Sequence, residues 1–154
     1  MISQPTSPQL IEAACAELSS KVAPFVTDPA ARVVLDMTVA VLQGVARRSA
    51  NELAWMREEA DGIEEVARQF VADLPEAAAL ASALQAYLDA KSDSRYLADA
   101  LAAYERAGEV LSCSIEAAYA DGDAERKATV RRLIDERMAN ENAVIGQYVG
   151  VGRG

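Results

Sequence analysis

Three tyrosines are the side chains in this sequence best suited to line a small-molecule site. Tyr87, Tyr104 and Tyr119 are large residues in a chain that is rich in alanine, and helical bundles bind small molecules between their helices. Such a lining would suit an acyl or aromatic ligand. The same tyrosines also suit core packing with their hydroxyl groups reaching the surface, and packing is the commoner role for residues of this kind.

A group of arginines lies near the C-terminal end of an otherwise acidic chain. Arg126, Arg131 and Arg132 could receive an anion such as a phosphate, a nucleotide or an acidic protein partner. Acidic residues interleave with them at spacings of three and four, which favours solvated ion pairs within one helix. We therefore treat the three arginines as candidates for contact with an anion or a partner, beside that simpler interpretation.

The densest acidic stretch is another candidate for chemistry. Glu58, Asp61 and Glu65 share one face of a predicted helix and could offer oxygens to a divalent cation. The stretch lacks the alternating ligands and the closing glutamate of an EF-hand loop. A solvated acidic face is the simpler interpretation, so we predict no metal-binding residues.

Catalysis has little support in the sequence. The chain has no histidine, which excludes His-based triads, zincins and di-iron Glu-x-x-His bundles. Cys15 and Cys113 lack a histidine partner, and there is no Gly-x-Ser-x-Gly elbow and no phosphate-binding loop. We therefore predict no catalytic residue, no cofactor and no enzymatic activity, and we interpret both cysteines as reduced thiols of a cytoplasmic protein.

Charge and length narrow the class of protein further. The 154 residues carry a formal net charge of −9, which argues against binding to nucleic acid or to an anionic membrane. We see no signal peptide and no uninterrupted apolar run of membrane-spanning length. The expectation is one soluble cytoplasmic domain of ordinary core size.

Apolar residues recur at helical spacing along the chain, and no strand pattern occurs. Start and stop signals predict helices from Ser7-Pro8 to Pro24, from Asp28-Pro29 to about residue 73, from Pro75 to about Ala90, from about Arg95 to Ala120 and from about Ala124 to Gln147. Short turns favour antiparallel neighbours. We predict an all-α, up-and-down antiparallel bundle of four main helices plus one or two shorter ones, with residues 1–148 as a single domain and 149–154 as a flexible glycine-rich tail.

The second predicted helix is unusually long, at roughly 69 Å if unbroken. We expect a break at Asp61-Gly62, since glycine commonly follows a helix end. Apolar residues spaced seven apart predict a seam for a neighbouring helix, and they are Leu35, Leu42, Met56, Ile63 and Phe70. Acidic residues concentrate between Glu52 and Glu76 and basic ones between Arg126 and Arg137, so we expect these two segments to attract each other across the bundle or across a dimer.

Four short segments of the chain form a recognisable set, namely residues 10–14 (LIEAA), 22–24 (VAP), 41–47 (VLQGVAR) and 137–142 (RMANEN). In these segments the chain resembles a family of uncharacterised small helical bacterial proteins. Members are often encoded beside aminoglycoside-phosphotransferase-like kinases and acyl-CoA dehydrogenases, so the resemblance implies an accessory role in acyl-CoA or sterol catabolism. It implies no catalytic residues. The chain departs from the family at residues 36–38, where the family has Arg and Asn, and at Ala143, where the family has Pro.

These observations lead to two hypotheses of different classes. The first is a non-catalytic helical-bundle protein that acts by association, as a homodimer or as an accessory partner of a cytoplasmic enzyme. Its basis is the overlong second helix and the lack of a catalytic constellation. The alternative is a bundle that binds an acyl or aromatic small molecule in a pocket between helices.

Overall fold

The computed structural model describes residues 4–145, and within that range the chain is helical with no strand. The α-helices are α1 Ser7–Glu17, α2 Pro29–Asp73, α3 Ala78–Ala90, α4 Leu97–Asp121 and α5 Ala124–Ile145. Between α1 and α2 lie a π-helical turn, Leu18–Val22, and a 3-10 turn, Ala23–Phe25. The predicted all-α class is confirmed.

Local capping explains several of the helix ends. Asp28 Oδ2 accepts a hydrogen bond from the backbone N–H of Ala31 at 2.9 Å at the start of α2. Asp123 Oδ1 accepts one from the N–H of Arg126 at 2.8 Å at the start of α5. Gly122 ends α4 with a φ of 86°, which a glycine adopts without steric cost. The predicted helix start at residue 28 and the predicted helix end and start at residues 122–123 are therefore confirmed.

Two predicted helix bounds need correction. The first helix ends at Glu17 rather than continuing to Pro24, because the backbone changes to the π-helical turn there. The third helix begins at Ala78 rather than at Pro75, because residues 74–77 form a turn in which the N–H of Ala77 bonds to the carbonyl of Leu74 at 2.9 Å.

The expected break at Asp61-Gly62 is wrong, since α2 is continuous from Pro29 to Asp73. Gly62 has no left-handed φ, and a Cβ at this position would meet Leu133 Cδ2 at an ordinary 3.6 Å. A glycine inside a helix costs only about 1 kcal/mol relative to alanine. Burial of the neighbouring Ile63 and Val66 outweighs that cost and keeps the helix intact.

The chain divides into two compact units, which we call the central unit and the N-terminal unit. The central unit is Leu53–Asn140, and the N-terminal unit combines Met1–Glu52 with Glu141–Gly154. The predicted single domain over 1–148 stays a prediction. The predicted tail, residues 149–154, lies outside the described residues.

The central unit holds a four-helix core. Its buried side chains come from the second part of α2, from α3, from α4 and from α5, and the largest include Ile63, Phe70, Leu80, Tyr87 and Val110. Short turns join these segments in sequence, so neighbouring helices run antiparallel. Three members of the predicted seam, Met56, Ile63 and Phe70, are buried here.

The N-terminal unit is built around the first part of α2. The thiol of Cys15 in α1 faces the carbonyl of Val39 at 3.8 Å, and both residues are buried. Arg32 reaches back to the carbonyl of Ala23 at 2.8 Å. Arg47 donates to the carbonyl of Val144 at 3.0 and 3.2 Å, which attaches the end of α5 to this unit.

Candidate functional site

The structure gives the three candidate tyrosines separate surroundings. Tyr87 is buried in the central core, with the ammonium of Lys91 5.8 Å from its ring centroid. Tyr104 is partly buried and bonds to Glu59. Tyr119 is 63% exposed, with Lys127 5.4 Å above its ring. None of the three lines either of the two grooves described below, so their shared ligand site stays a prediction.

Tyr104 belongs to a charged cluster that joins three helices of the central unit. Its hydroxyl donates to Glu59 Oε1 at 2.9 Å, and Arg137 Nε lies 3.6 Å from the same oxygen. The guanidinium of Arg137 also stacks over the Tyr104 ring at 5.6 Å, a cation–π arrangement. Glu59 is the most buried member, with 9% of its side chain exposed. The cluster therefore cross-links α2, α4 and α5.

A second charged cluster surrounds Lys91, at the C-terminal end of α3. Lys91 Nζ lies 2.7 Å from both Asp61 Oδ1 and Glu64 Oε2, and Arg68 Nε lies 2.8 Å from Glu64 Oε1. Hydrogen bonds to Asp61 and Glu64 raise the pKa of Lys91 well above its ordinary value. Burial of Glu64 raises its pKa, but the bonds from Lys91 and Arg68 outweigh burial and the net pKa is lowered. The charges of this cluster are paired with one another, and the pairs connect α3 to α2.

The three candidate arginines are not equivalent. Arg126 pairs with Asp121 at 2.7 Å and with Asp73 at 3.6 Å. Arg132 pairs with Glu136 at 3.4 Å within α5, as the ion-pair interpretation predicts. Arg131 is exposed. Together with the contact between Arg137 and Glu59, the pair of Arg126 with Asp73 places two ion pairs between the acidic segment of α2 and the basic segment of α5.

Arg126 and Arg132 border a groove between α2 and α5 with a volume of about 400 Å³. Its floor includes Phe70 and Leu133, and the rim carries five carboxylates, those of Glu65, Asp73, Asp123, Glu125 and Glu136. Five acidic groups against two arginines make the groove a poor receptor for an anion. The groove therefore does not support the prediction that these arginines bind an anion, and that prediction is untested.

A second groove of about 420 Å³ lies between the start of α3 and the end of α4. Leu74, Leu80 and Cys113 contribute to its lining, together with alanines of both helices and the carboxylates of Glu76, Glu116 and Asp121. Burial raises the pKa of the Cys113 thiol, and the neighbouring Glu116 and Glu109 raise it further. Because the thiolate is the nucleophilic form, Cys113 is in an environment that suppresses nucleophilic chemistry.

The described residues, 4–145, offer no cluster of metal ligands. Within that range, no three His, Cys, Asp or Glu side chains come together in an arrangement that could hold a metal ion. The carboxylates of Asp61 and Glu64 from the acidic stretch are instead paired with Lys91.

The most unusual surface in the described part of the chain is an exposed apolar stripe on α2 in the N-terminal unit, which we call the outer face. Its residues are Val34, Met37, Val41 and Val45, with exposed fractions of 63%, 53%, 64% and 46%. The opposite side of the same helix carries the buried Val39 and Ala46. This part of α2 is therefore apolar on two sides, and only one of them is covered.

The outer face was not predicted from the sequence, because the predicted seven-residue seam lies on another side of the helix. Leu35 and Leu42 of that seam are partly buried and lie about 100° or more around the helix from Val41. The signal was nevertheless present, since the four residues recur at spacings of three and four.

The same helix is also long and apolar enough to cross a membrane, judged by length and composition alone. Its most apolar 18-residue window has a mean hydropathy of 1.3, and 11% of that window is buried. One such helix is weak evidence for a membrane span. The core helix of a soluble protein and a signal sequence near the N-terminus satisfy the same criteria.

Comparison of the chain with protein-family models, with curated proteins and with solved structures found no match.

Proposed function

We propose that this protein acts by association with another protein surface, either a second copy of itself or a cytoplasmic enzyme, and not by catalysis. The observation that carries the proposal is the outer face of α2. An apolar face of a helix is normally covered, by a protein core or by lipid. Exposed apolar patches on soluble proteins mark sites of interaction.

The charges of this segment support the same proposal. Arg32 and Asp36 are the charged residues between Pro29 and Ala46, and they pair with each other at 3.2 Å on the side of the helix away from the outer face. The outer face is thus uncharged in a protein whose net charge is −9. Charged residues are depleted at the centres of protein interfaces in the same way.

The test compares two single substitutions that add the same charge. Val41→Glu places a carboxylate on the outer face, and Met138→Glu places one on an exposed site of α5, where Met138 is 54% exposed. A tagged chain is purified from its own cells together with whatever remains bound, and the retained proteins are quantified by mass spectrometry, including an untagged copy of the chain.

We expect a stoichiometric companion to be retained by the unsubstituted chain and by the Met138→Glu chain, and to be lost from the Val41→Glu chain. Circular dichroism of both variants checks that helix content is unchanged. A Val41→Glu chain that keeps the same companions, or an unsubstituted chain with no stoichiometric companion, would contradict the proposal.

A second candidate function is the binding of an acyl or aromatic small molecule, and the groove beside Cys113 favours it. Its volume of about 420 Å³ is within the range of ligand sites, and leucine and alanine side chains suit an acyl chain. Ala120→Trp would fill this groove, while Ala102→Trp alters an exposed position of α4 outside its lining. A fluorescent acyl ester, which carries no carboxylate to be repelled by the acidic lining, should bind the unsubstituted and Ala102→Trp chains but not the Ala120→Trp chain; equal binding to all three would exclude this groove.

A further inference from the structure

We propose that the groove between the start of α3 and the end of α4 binds a small amphiphilic amine, a molecule with an apolar body and one cationic ammonium group. The proposal rests on the second candidate function above and names the chemical class of its ligand. It is independent of the association proposed for the outer face of α2. All the residues that line this groove belong to the central unit.

The size and lining of the groove suit the apolar body of such a ligand. Seven of the eleven lining residues are leucine or alanine, and Leu74 and Leu80 among them are buried. Ala77 and Ala117 are partly buried, and their small side chains leave open the space that larger residues would fill. A volume of about 420 Å³ is within the range of small-molecule sites.

The charged residues of the lining all have the same sign. They are Glu76, Glu116 and Asp121, and the lining contains no lysine or arginine. Asp121 pairs with Arg126 at 2.7 Å, whereas among residues 4–145 neither Glu76 nor Glu116 forms an ion pair. In the groove between α2 and α5, by contrast, two arginines of the protein lie among the carboxylates. The groove beside α3 therefore offers two carboxylates to a cation of the ligand.

The helical positions on α4 put carboxylates on both sides of the apolar lining. At 3.6 residues per turn, Cys113, Ala117 and Ala120 form one stripe along α4, with Glu116 on one side of the stripe and Asp121 on the other. Burial raises the pKa of the Cys113 thiol and the Glu116 carboxylate raises it further, so the charge of Glu116 acts on the lining. An ammonium group at an edge of the groove can thus lie beside a carboxylate while the apolar body contacts the alanines.

The two helix ends at the groove do not change the sign of its potential. The start of α3 carries about half a positive charge and the end of α4 about half a negative charge, and these contributions oppose each other. The carboxylates carry full charges and therefore set the potential. An anionic ligand is disfavoured in this groove, and an uncharged ligand gains nothing from the carboxylates.

A metal ion is a poorer occupant than an organic cation. Among residues 4–145, no three acidic or thiol side chains come together in an arrangement that could hold a metal ion. An ammonium group needs only one carboxylate in contact, because burial of the apolar body supplies the rest of the binding free energy. Separate carboxylates around an apolar lining therefore fit an amphiphilic amine.

The test compares three probes that share one alkyl chain and differ in charge, namely decylamine, decanol and decanoate. Isothermal titration of the full-length chain at neutral pH, below the micelle concentration of each probe, measures the three affinities. We expect decylamine to bind at least about tenfold more tightly than decanol, and decanoate to bind most weakly. High salt should reduce the preference for decylamine, because it screens the carboxylates.

A pair of double variants with the same loss of charge tests the carboxylates. Glu76→Gln with Glu116→Gln should weaken the binding of decylamine by at least about fivefold and leave that of decanol unchanged. Glu12→Gln with Glu105→Gln is the control, because both residues are exposed and lie outside the lining. The control chain should bind both probes as the unsubstituted chain does.

The possible failures are distinguishable. Equal affinities for decylamine and decanol, or equal effects of the two double variants, overturn the inference, and the second candidate function stands if Ala120→Trp still removes the binding. Failure of all three probes to bind, or their binding to the Ala120→Trp chain, overturns both. If decylamine does not bind but the Glu76→Gln, Glu116→Gln chain loses a protein that the unsubstituted chain retains, a basic side chain of that protein is the occupant and the inference is overturned.

Discussion

The hydroxyl of Tyr104 donates a hydrogen bond to Glu59 Oε1 at 2.9 Å, which joins α4 to α2 at a carboxylate that is largely withdrawn from solvent. Arg137 of α5 approaches the same oxygen and stacks on the Tyr104 ring. A buried carboxylate is costly unless it is both paired and hydrogen-bonded. The tyrosine hydroxyl is therefore part of what allows Glu59 to lie inside the central unit.

We predict that Tyr104→Phe lowers the free energy of unfolding by about 1 kcal/mol, the usual net value of such a hydrogen bond. The substitution keeps the ring beneath Arg137 and removes only the hydroxyl. Urea denaturation followed by circular dichroism measures the change. Tyr119→Phe is the control, because Tyr119 is 63% exposed, and a loss as large as that of Tyr104→Phe would contradict this account.

The Lys91 cluster predicts a dependence of stability on pH. The pKa of Glu64 is lowered in the folded protein from an ordinary value of 4.5. Its contribution is therefore complete above pH 4.5 and is lost as the pH falls through the lowered folded pKa. The pKa of Lys91 is raised, so its contribution is complete below its ordinary pKa of 10.5 and declines as the pH rises above that value.

We predict that Lys91→Met reduces the loss of stability at acidic pH and also the loss at alkaline pH. The substitution removes the main partner of Glu64 and removes the amine that titrates at high pH. The measurement is the urea midpoint between pH 3 and pH 11. Lys21→Met is the matched control, because Lys21 pairs with Glu17 on the surface, with side chains 71% and 61% exposed, and such pairs contribute little. Identical pH profiles for the Lys91→Met and unsubstituted chains would refute the prediction.

The sequence predicted the fold class well because local signals and packing agree in this chain. Asp28 and Asp123 cap helices, and Gly122 ends one, through interactions within a few residues. Gly62 was misinterpreted because the same residue type ends some helices and is tolerated inside others. The choice depends on packing against Leu133, which is 71 residues away along the chain and leaves no local signal.

The candidate sites were harder to predict for a similar reason. The three tyrosines were grouped by residue type alone. In the structure each has a different partner: Tyr87 contacts Lys91, Tyr104 bonds to Glu59, and Tyr119 contacts Lys127. The outer face of α2 was visible as a spacing. Whether such a stripe is covered depends on which helices pack against it, and this information is contained in the tertiary structure alone.

We predict that Cys113 reacts slowly with iodoacetamide at pH 8 and that its reaction rate continues to rise above the ordinary thiol pKa of about 8.5. Burial and two nearby glutamates raise the pKa of this thiol. Rates are measured by mass spectrometry on the Cys15→Ser chain, with a small-molecule thiol of ordinary pKa as reference. A rate that reaches its plateau at or below the pH of the reference would contradict the structure.

Gly108 inside α4 and Gly122 directly after its end should respond to substitution by alanine in opposite directions. Gly108 lies inside the helix, and a Cβ added there would meet no atom within 4 Å. Gly108→Ala should therefore raise the free energy of unfolding by about 1 kcal/mol through helix propensity. Gly122 has a φ of 86°, where a side chain is strained, so Gly122→Ala should lower it by about 1–2 kcal/mol.

Thermal unfolding of both variants beside the unsubstituted chain measures these shifts, and the comparison is internal because the substitution is the same. A Gly108→Ala chain that is less stable would mean that the open space beside residue 108 is filled in solution. A Gly122→Ala chain of unchanged stability would mean that α4 ends without the left-handed residue. Opposite shifts are expected because the two glycines differ in backbone conformation, and at both positions the added Cβ meets no atom within 4 Å.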